Sequence, residues 1–596
     1  MSAQGPQSSD LITFTIKVDG TPIPDSYRVH SIQVKQALNR ISQAEFTVMD
    51  GAASREDFPV SAGAIFVPGK KVVVEAGYNN KNEKIFGGII IGQNLRIDDQ
   101  IGSALTVLCK DTAVKMTVGR RSALYNEVTD SDVMAQLIGR YKGISAEVSS
   151  TKTKWPALVQ NYCTDWDFLL SRAEVNGMVV TTLEGTVSVF PLDKNSSPVL
   201  AVTYGDSLYQ FDGDLNAEMQ LASITASAWD PQQQSLVTGK ASNSVNGPGN
   251  LSSQTLSKVL GISEFELQTT APETEGELAE WAKAQMLKRE YAKILAEARF
   301  QGSSKVKPGT FLTLNGLGAR FNGDYLVGFV EHDLSDGNWF INASLGLSPQ
   351  WFLTRPDVVA PAAAGLLPGI QGLYNATVKQ IDNDPENEYR ILLDLPLLDP
   401  AGKGVWARLT NFYSTKDAGV FFLPELGDEV IVGFLNQDPR YPVILGSVYS
   451  AKHKPFSSLE PNQENSKKAI VSRSHLCVMF DDKDVVLTLK TPNKNTITLD
   501  DNKGQISITD QNKNSIVMSD SGIEIESPKS ITIQAEQNVT IKGNTGITIE
   551  SSSGDVASKG LNIQEHATMS YRASGGEASV QGEEALTLKG GLVMIN

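Results

Sequence analysis

The chain has 596 residues, 40% hydrophobic and 20% charged, with 50 Gly, a net charge of −16 and a pI near 5.0. This length exceeds the ~250 residues at which single cores stop growing, so about three or four folded units are expected. The acidic balance repels phosphate backbones and anionic lipid, which argues against nucleic acid and stable membrane insertion.

Cys109, Cys163 and Cys477 lie far apart, with no CxxC pair and no nearby His to complete a zinc set, and read as reduced core thiols. The opening MSAQGPQSSDLITFTIKVDG lacks a basic segment followed by an apolar one, so synthesis in the cytoplasm without a signal peptide is expected.

From residue 8 to about 125, short alternating runs such as LITFTIKVDG, AEFTVMDG, KKVVVEAGY and SALTVLCK, separated by Gly and Asp turns, predict a first β-barrel or sandwich. Residues 126–215 change texture. TDSDVMAQLIGRY carries Val133, Leu137 and Ile138 at amphipathic spacing, and TDWDFLLSRAEVNG predicts a helix capped by Thr164 or Asp165 and stopped at Gly177. The span TGKASNSVNGPGNLSSQ reads as an exposed loop. GELAEWAKAQMLKREYAKILAEARFQG predicts one long helix with Ala284, Leu287, Tyr291, Ile294, Leu295 and Ala298 on one face and Gly302 past its end. Strands resume in GTFLTLNG, GDYLVGFVEHDL and WFINASLGL, giving a second all-β unit over 216–355.

The Ala/Pro/Gly stretch 356–372 is too short for a bilayer, is broken by Pro361 and Pro368, and reads as a linker. Residues 373–450 hold five or six short β-runs that fit a small closed barrel, 451–483 read as a second linker, and 484–596 carry only octads.

In the octads, Ile523, Ile531, Val539 and Ile547 follow one another at eight residues, as do Ile525, Ile533, Ile541 and Ile549. With looser spacing the pattern takes in Leu487, Leu489, Ile497, Leu499, Ile506 and Ile508 before, and Leu561, Ile563, Leu586 and Leu588 after. Each octad then reads as one short strand with two inward apolar residues and a turn rich in Gly, Asn and Ser. One strand cannot bury two residues alone, so octads must stack. Two arrangements qualify: a single-chain solenoid roughly 20 Å long, or a needle of three intertwined chains on the order of 60 Å long. The stripe of Ile, Val and Leu, with no partner helix encoded beyond it, favours the trimer.

The candidates for chemistry are weak. Adjacent residues of a strand face opposite sides, so Glu331-His332-Asp333 suits neither a triad nor a metal cage. Asp382, Asp384, Glu386 and Glu388 begin like a calcium loop, but Asn387 stands where its Gly belongs and no Glu follows at position twelve. No GxxxxGK[ST], GxSxG or HExxH occurs. No catalytic residue, metal site or cofactor is expected, and the barrel, poor in interleaved Arg and aromatics, reads as a structural adaptor. The run Leu592, Val593, Met594 and Ile595 would expose apolar strand edges at a blunt tip, an aggregation hazard unless a cap protein docks there.

Three stretches carry a family resemblance. LPELGDEVIVGFLNQDPRYPVILGSVYS, Leu423 to Ser450, is similar to the barrel signature of VgrG, the spike protein of type VI secretion and related contractile injection systems. VQNYCTDWDFLLSRAEVNGM and ARFQGSSKVKPGTFLTLNG with FNGDYLVGFVEH resemble motifs of that family's tail hub. The resemblance spans nearly the whole chain. It implies a mainly β protein with tandem hub barrels, an OB-fold and a C-terminal triple-stranded β-helix needle formed by a homotrimer. It also implies a hexameric inner tube protein, baseplate proteins, a PAAR-like tip protein and effectors on other chains as partners, in a particle ejected into the extracellular space or a target cell. The expected role is a non-enzymatic puncturing spike; a phage-type spike with cell-wall-degrading activity is the alternative.

Overall fold

Alternation of apolar and polar residues sets the strands of the amino-terminal part. In Val29–Ala37 the buried residues are Ile32, Val34 and Gln36, and in Gln43–Met49 they are Ala44, Phe46 and Val48, opposite them in register (Ile32↔Phe46, Val34↔Ala44). The computed structural model describes residues 11–99, 102–192, 196–245, 247–262 and 264–595; the expected start at residue 8 lies outside them. The first core gathers Phe46, Phe86, Val74 and Val107 from strands that include Lys71–Tyr78, Lys81–Asp98 and Gly102–Lys110, with Phe66 added from the loop before Lys71.

A second core forms around Phe300, Leu312, Tyr325, Val330 and Ile341. The strand Gly323–Ser335 pairs antiparallel with Val29–Ala37 (Val330↔Gln36, His332↔Val34), so the two expected β-units share one thirteen-stranded sheet. Leu200–Thr203 and Leu208–Leu215 pair with strands of this second core, which moves its beginning ahead of residue 216.

The long helix expected from GELAEWAKAQMLKREYAKILAEARFQG is shorter: it spans Glu275–Tyr291, and Ile294–Gln301 is a strand. Ile294, Ala296, Ala298 and Phe300 are buried alternately, a period of two that the small alanines hid inside a helical pattern. The helix is capped by a reciprocal Thr274/Glu277 box and packs on the sheet of Ser223–Asp230, Ser235–Ser242 and Glu264–Thr269. Ser235–Ser242 takes in the first residues of the expected loop TGKASNSVNGPGNLSSQ. The Ala/Pro linker is not bare chain either: Val358, Ala363 and Ile370 are buried, Val358 in the core between the helices Asp130–Gly139 and Asp165–Val175.

Tyr374–Gln380, Ile391–Asp394, Val405–Leu409, Pro442–Ser447 and Glu429–Phe434 close a five-stranded barrel around Val378, Leu393, Ala407, Val430, Val432 and Ile444. Contacts divide the chain into Met1–Val448 and Tyr449–Asn596. In the second unit Lys467–Val471, Cys477–Asp481, Val486–Lys490, Thr496–Asp500, Gln505–Thr509, Ser515–Ser519 and Gly522–Glu526 form an antiparallel meander of seven strands. The sheet thus begins inside the expected 451–483 linker. The repeated loops TPNKN and DQNKN reverse the chain, each with a Lys at positive φ (Lys494, 68°; Lys513, 69°) and an Asn held by the first loop residue. Beyond Glu526 the described residues form no strand, contrary to the expectation of one strand per octad. A strand exists only through lateral hydrogen bonds, and the chain itself offers these octads no ladder. Among the described residues no helix is long and apolar enough to cross a membrane.

Candidate self-assembly surface

The meander gathers the octad residues on one face. Across successive ladders Phe480 faces Leu487, Leu487 faces Leu499, Leu489 faces Ile497, Ile497 faces Ile508, Leu499 faces Ile506, and Ile516 faces Ile525. The other face carries Thr488, Thr498, Ser507 and Glu524. The register is fixed by the period of two, since a slip of one residue would exchange the faces.

This apolar face is uncovered. Leu499 is 38% exposed, Ile506 42% and Ile523 70%, and the same holds for Leu489, Ile497, Ile508 and Ile525, with Leu487 half-buried. Ile531, Ile533, Val539, Ile541, Ile547, Ile549, Leu561, Ile563, Leu586 and Leu588 are all more than half exposed, as are Leu592, Val593, Met594 and Ile595. Full burial of each such side chain is worth about 1.5–3 kcal/mol, so a contiguous row in water is a strong drive to associate.

The other candidates separate in space. His332 points into the core beside Trp339, with ring centroids 5.9 Å apart, and burial pulls its pKa down to about 4. Its neighbours turn outward: Glu331 meets Lys35 at 3.4 Å and accepts from Asn342, while Asp333 accepts from Ser335. Asp384 is consumed locally, accepting backbone N–H groups of Glu386, Glu388 and Arg390 and the Arg390 guanidinium at 2.6 Å. That guanidinium, foremost, holds its carboxyl well below the usual range. Among the described residues no cluster of His, Cys, Asp or Glu is arranged to hold a metal. Cys109 and Cys477 are buried thiols, but Cys163 is half-buried, not a core residue.

One feature escaped the sequence reading. TDSD and TDWD open two helices alike: Thr129 and Thr164 cap, and the next residues, Asp130 and Asp165, are buried. Asp130 is gripped by Arg172 of the second helix, and Asp165 by Arg140 at the end of the first and by Arg121. The repeated Thr-Asp-x-Asp was the available signal. The reciprocal arginines were not visible, because they lie 42 and 25 residues away from their partners.

Comparison with known proteins matches residues 8–336 to the Alg8 N-terminal domain. Residues 374–449 match the type VI secretion system/phage-baseplate injector OB domain, and 486–546 the phage baseplate V C-terminal trimerisation domain. The type VI secretion system spike protein VgrG1a of Pseudomonas aeruginosa is 38% identical over 61 residues, 10% of this chain and 10% of that protein. The actin cross-linking toxin VgrG1 of Vibrio cholerae is 33% identical over 70 residues, 12% of this chain and 6% of that protein. The matched segment thus spans a tenth or less of these relatives. Among solved structures, a 43 kDa tail protein of prophage MuSo2 from Shewanella oneidensis is similar at TM-score 0.44 and 13% identity, covering 57% of this chain and 98% of that one. An E. coli component of the type VI secretion system is similar at TM-score 0.38 and 14% identity, covering 73% and 99%. With more than half of its length matched to one family model, the chain belongs to the Alg8 N-terminal domain family, and its barrel and part of its octads match the injector OB domain and the trimerisation domain of phage-baseplate and type VI secretion proteins.

Proposed function

We propose that the protein is a non-enzymatic homotrimeric puncturing spike, in which residues up to Val448 cap the inner tube of a contractile apparatus and the octads of three chains wind into a rigid β-helical needle. The observation that carries this reading is the uncovered octad face, which lies in the stretch matching a trimerisation domain. Three copies offer one another what a single copy lacks: lateral backbone partners beyond Glu526 and an apolar interior for Ile531, Ile533, Val539 and Ile541. A prism with continuous ladders resists buckling when the sheath drives it forward, and it delivers effectors carried on other chains into the target envelope. A small PAAR-like cap seats on Leu592, Val593, Met594 and Ile595, whose exposure supports such a contact.

Light scattering behind a sizing column tests the assembly, with the full chain compared to a form ending near Pro455. The expected mass of the full chain is three times 64.3 kDa, with the trimer lost on truncation. A stable monomer of the full chain refutes the needle. A muramidase assay on the same preparation is expected to show no hydrolysis; activity would turn the reading to a cell-wall-degrading spike. For the cap, deletion of Leu592 to Asn596 should abolish pull-down of a cap protein, and unchanged capture would end that part of the proposal.

A further inference from the structure

The helix Glu275–Tyr291 does not close flat on the helix Asp165–Val175 and the strand Lys154–Thr164. A cavity of about 270 Å³ opens between them, lined by Trp155, Trp281 and Trp351 and by Asp130, Arg172, Glu273, Glu277 and Glu280. That volume lies just below the ~300–1,000 Å³ of small-molecule sites, which suits a single inserted side chain.

The charges inside are unequally spent. Asp130 is saturated: it accepts from Arg172 Nη2 at 3.0 Å, Asn176 Nδ2 at 2.9 Å and Trp155 Nε1 at 3.1 Å. Arg172 is thereby neutralised, and its guanidinium already lies over the Trp155 ring, 5.1 Å from the centroid. Among the described residues Glu280 pairs with the exposed Lys283 alone, at 3.4 Å. Glu277 accepts from Thr274 in the helix cap, and Glu273 stands beside it, so two carboxylates crowd together at the mouth. Burial first, and then the Glu277 charge, raise the Glu273 pKa. An incoming cation relieves that crowding.

Half-buried indoles and a crowded carboxylate pair that Arg172 offsets only in part line one cavity and select a flat cation. We propose that this cavity receives an arginine side chain of a partner protein, the guanidinium stacking on an indole as Arg172 does on Trp155 and donating to Glu273 and Glu277. Guanidinium is favoured over ammonium because a planar fork fits paired carboxylates and stacks on indole faces. The site is independent of the octads and needs no trimer.

The probe is acetyl-arginine-amide, titrated into the full chain by calorimetry and tryptophan fluorescence, with acetyl-citrulline-amide as its neutral isostere and acetyl-lysine-amide as the compact cation. Saturable binding is expected for the arginine compound, with the citrulline compound weaker by roughly tenfold, as the loss of a charge-assisted contact implies. Glu273→Gln should weaken arginine binding by roughly fivefold or more while leaving the far-ultraviolet dichroism unchanged. Equal response to arginine and citrulline, tighter binding of lysine, or no saturation of the wild-type chain by about 50 mM would each overturn the proposal. The wild-type comparison needs no variant, so it decides the matter even if Glu273→Gln fails to fold.

Discussion

Leu499 lies directly opposite Ile506 across the Thr496–Asp500/Gln505–Thr509 ladder, and both side chains stay more than a third exposed. The same geometry recurs down the meander, so the exposure is a property of the whole face. Replacing Ile531, Ile533, Val539 and Ile541 together by Asp places charges where three chains would meet, at a cost that no partner in the needle offsets. The expected outcome is complete loss of the trimer in light scattering, with the hub still folded by circular dichroism; a soluble trimer of this variant would count against the intertwined needle.

Asp130 joins its own helix to Arg172, Asn176 and Trp155, and its side chain is 2% exposed. Asp130→Ala leaves the Arg172 charge without its partner, a loss of about 3–5 kcal/mol by analogy with broken buried pairs. The urea midpoint of the hub transition should fall accordingly. Asp130→Leu combined with Arg172→Met should recover most of that loss, because removing both charges also removes the desolvation cost.

His332 ordinarily titrates at 6.5, but burial, aided by Lys307, lowers it to about 4. Below pH 6.5 the unfolded chain takes up a proton that the folded chain refuses at His332, so this residue's contribution to stability falls between pH 6.5 and about 4 and is level outside that window. The contribution is about 3 kcal/mol across the window, at ~1.4 kcal/mol for each pH unit. His332→Phe should flatten this part of the curve of urea midpoint against pH. An unchanged slope would show that another group sets it.

Gly239 lies under the long helix, where an added Cβ would stand 2.2 Å from the Ala279 nitrogen and 2.5 Å from the Leu278 carbonyl carbon. Both are backbone atoms, so neither can rotate aside. Gly239→Ala should therefore cost about 1–3 kcal/mol in thermal or urea unfolding. Gly446→Ala, where nothing lies within 4 Å, is the control and should be neutral to within about 1 kcal/mol.

Much of the architecture was legible because it is local. The two-residue period that buries Ile32 and Val34, the cap at Thr164, the barrel of 374–447 and the octad stripe are each written over a few consecutive residues. Where two local patterns overlapped, the reading failed: Ile294, Ala296 and Ala298 fit a helical face as well as a strand face, and only pairing with Leu208–Leu215 and Asn338–Leu345 made them a strand. Long-range choices were out of reach for the same reason. The join of Val330 to Gln36, the grip of Arg172 on Asp130 and the cavity between Trp155 and Trp281 each bring together residues whose neighbours in sequence say nothing of one another. The sequence by itself determined which residues are apolar and with what period, because that is intrinsic to each side chain and its position. Tertiary structure alone decided which strand edges meet and which charges are buried, because the free energy of those contacts exists only once distant segments have excluded water between them.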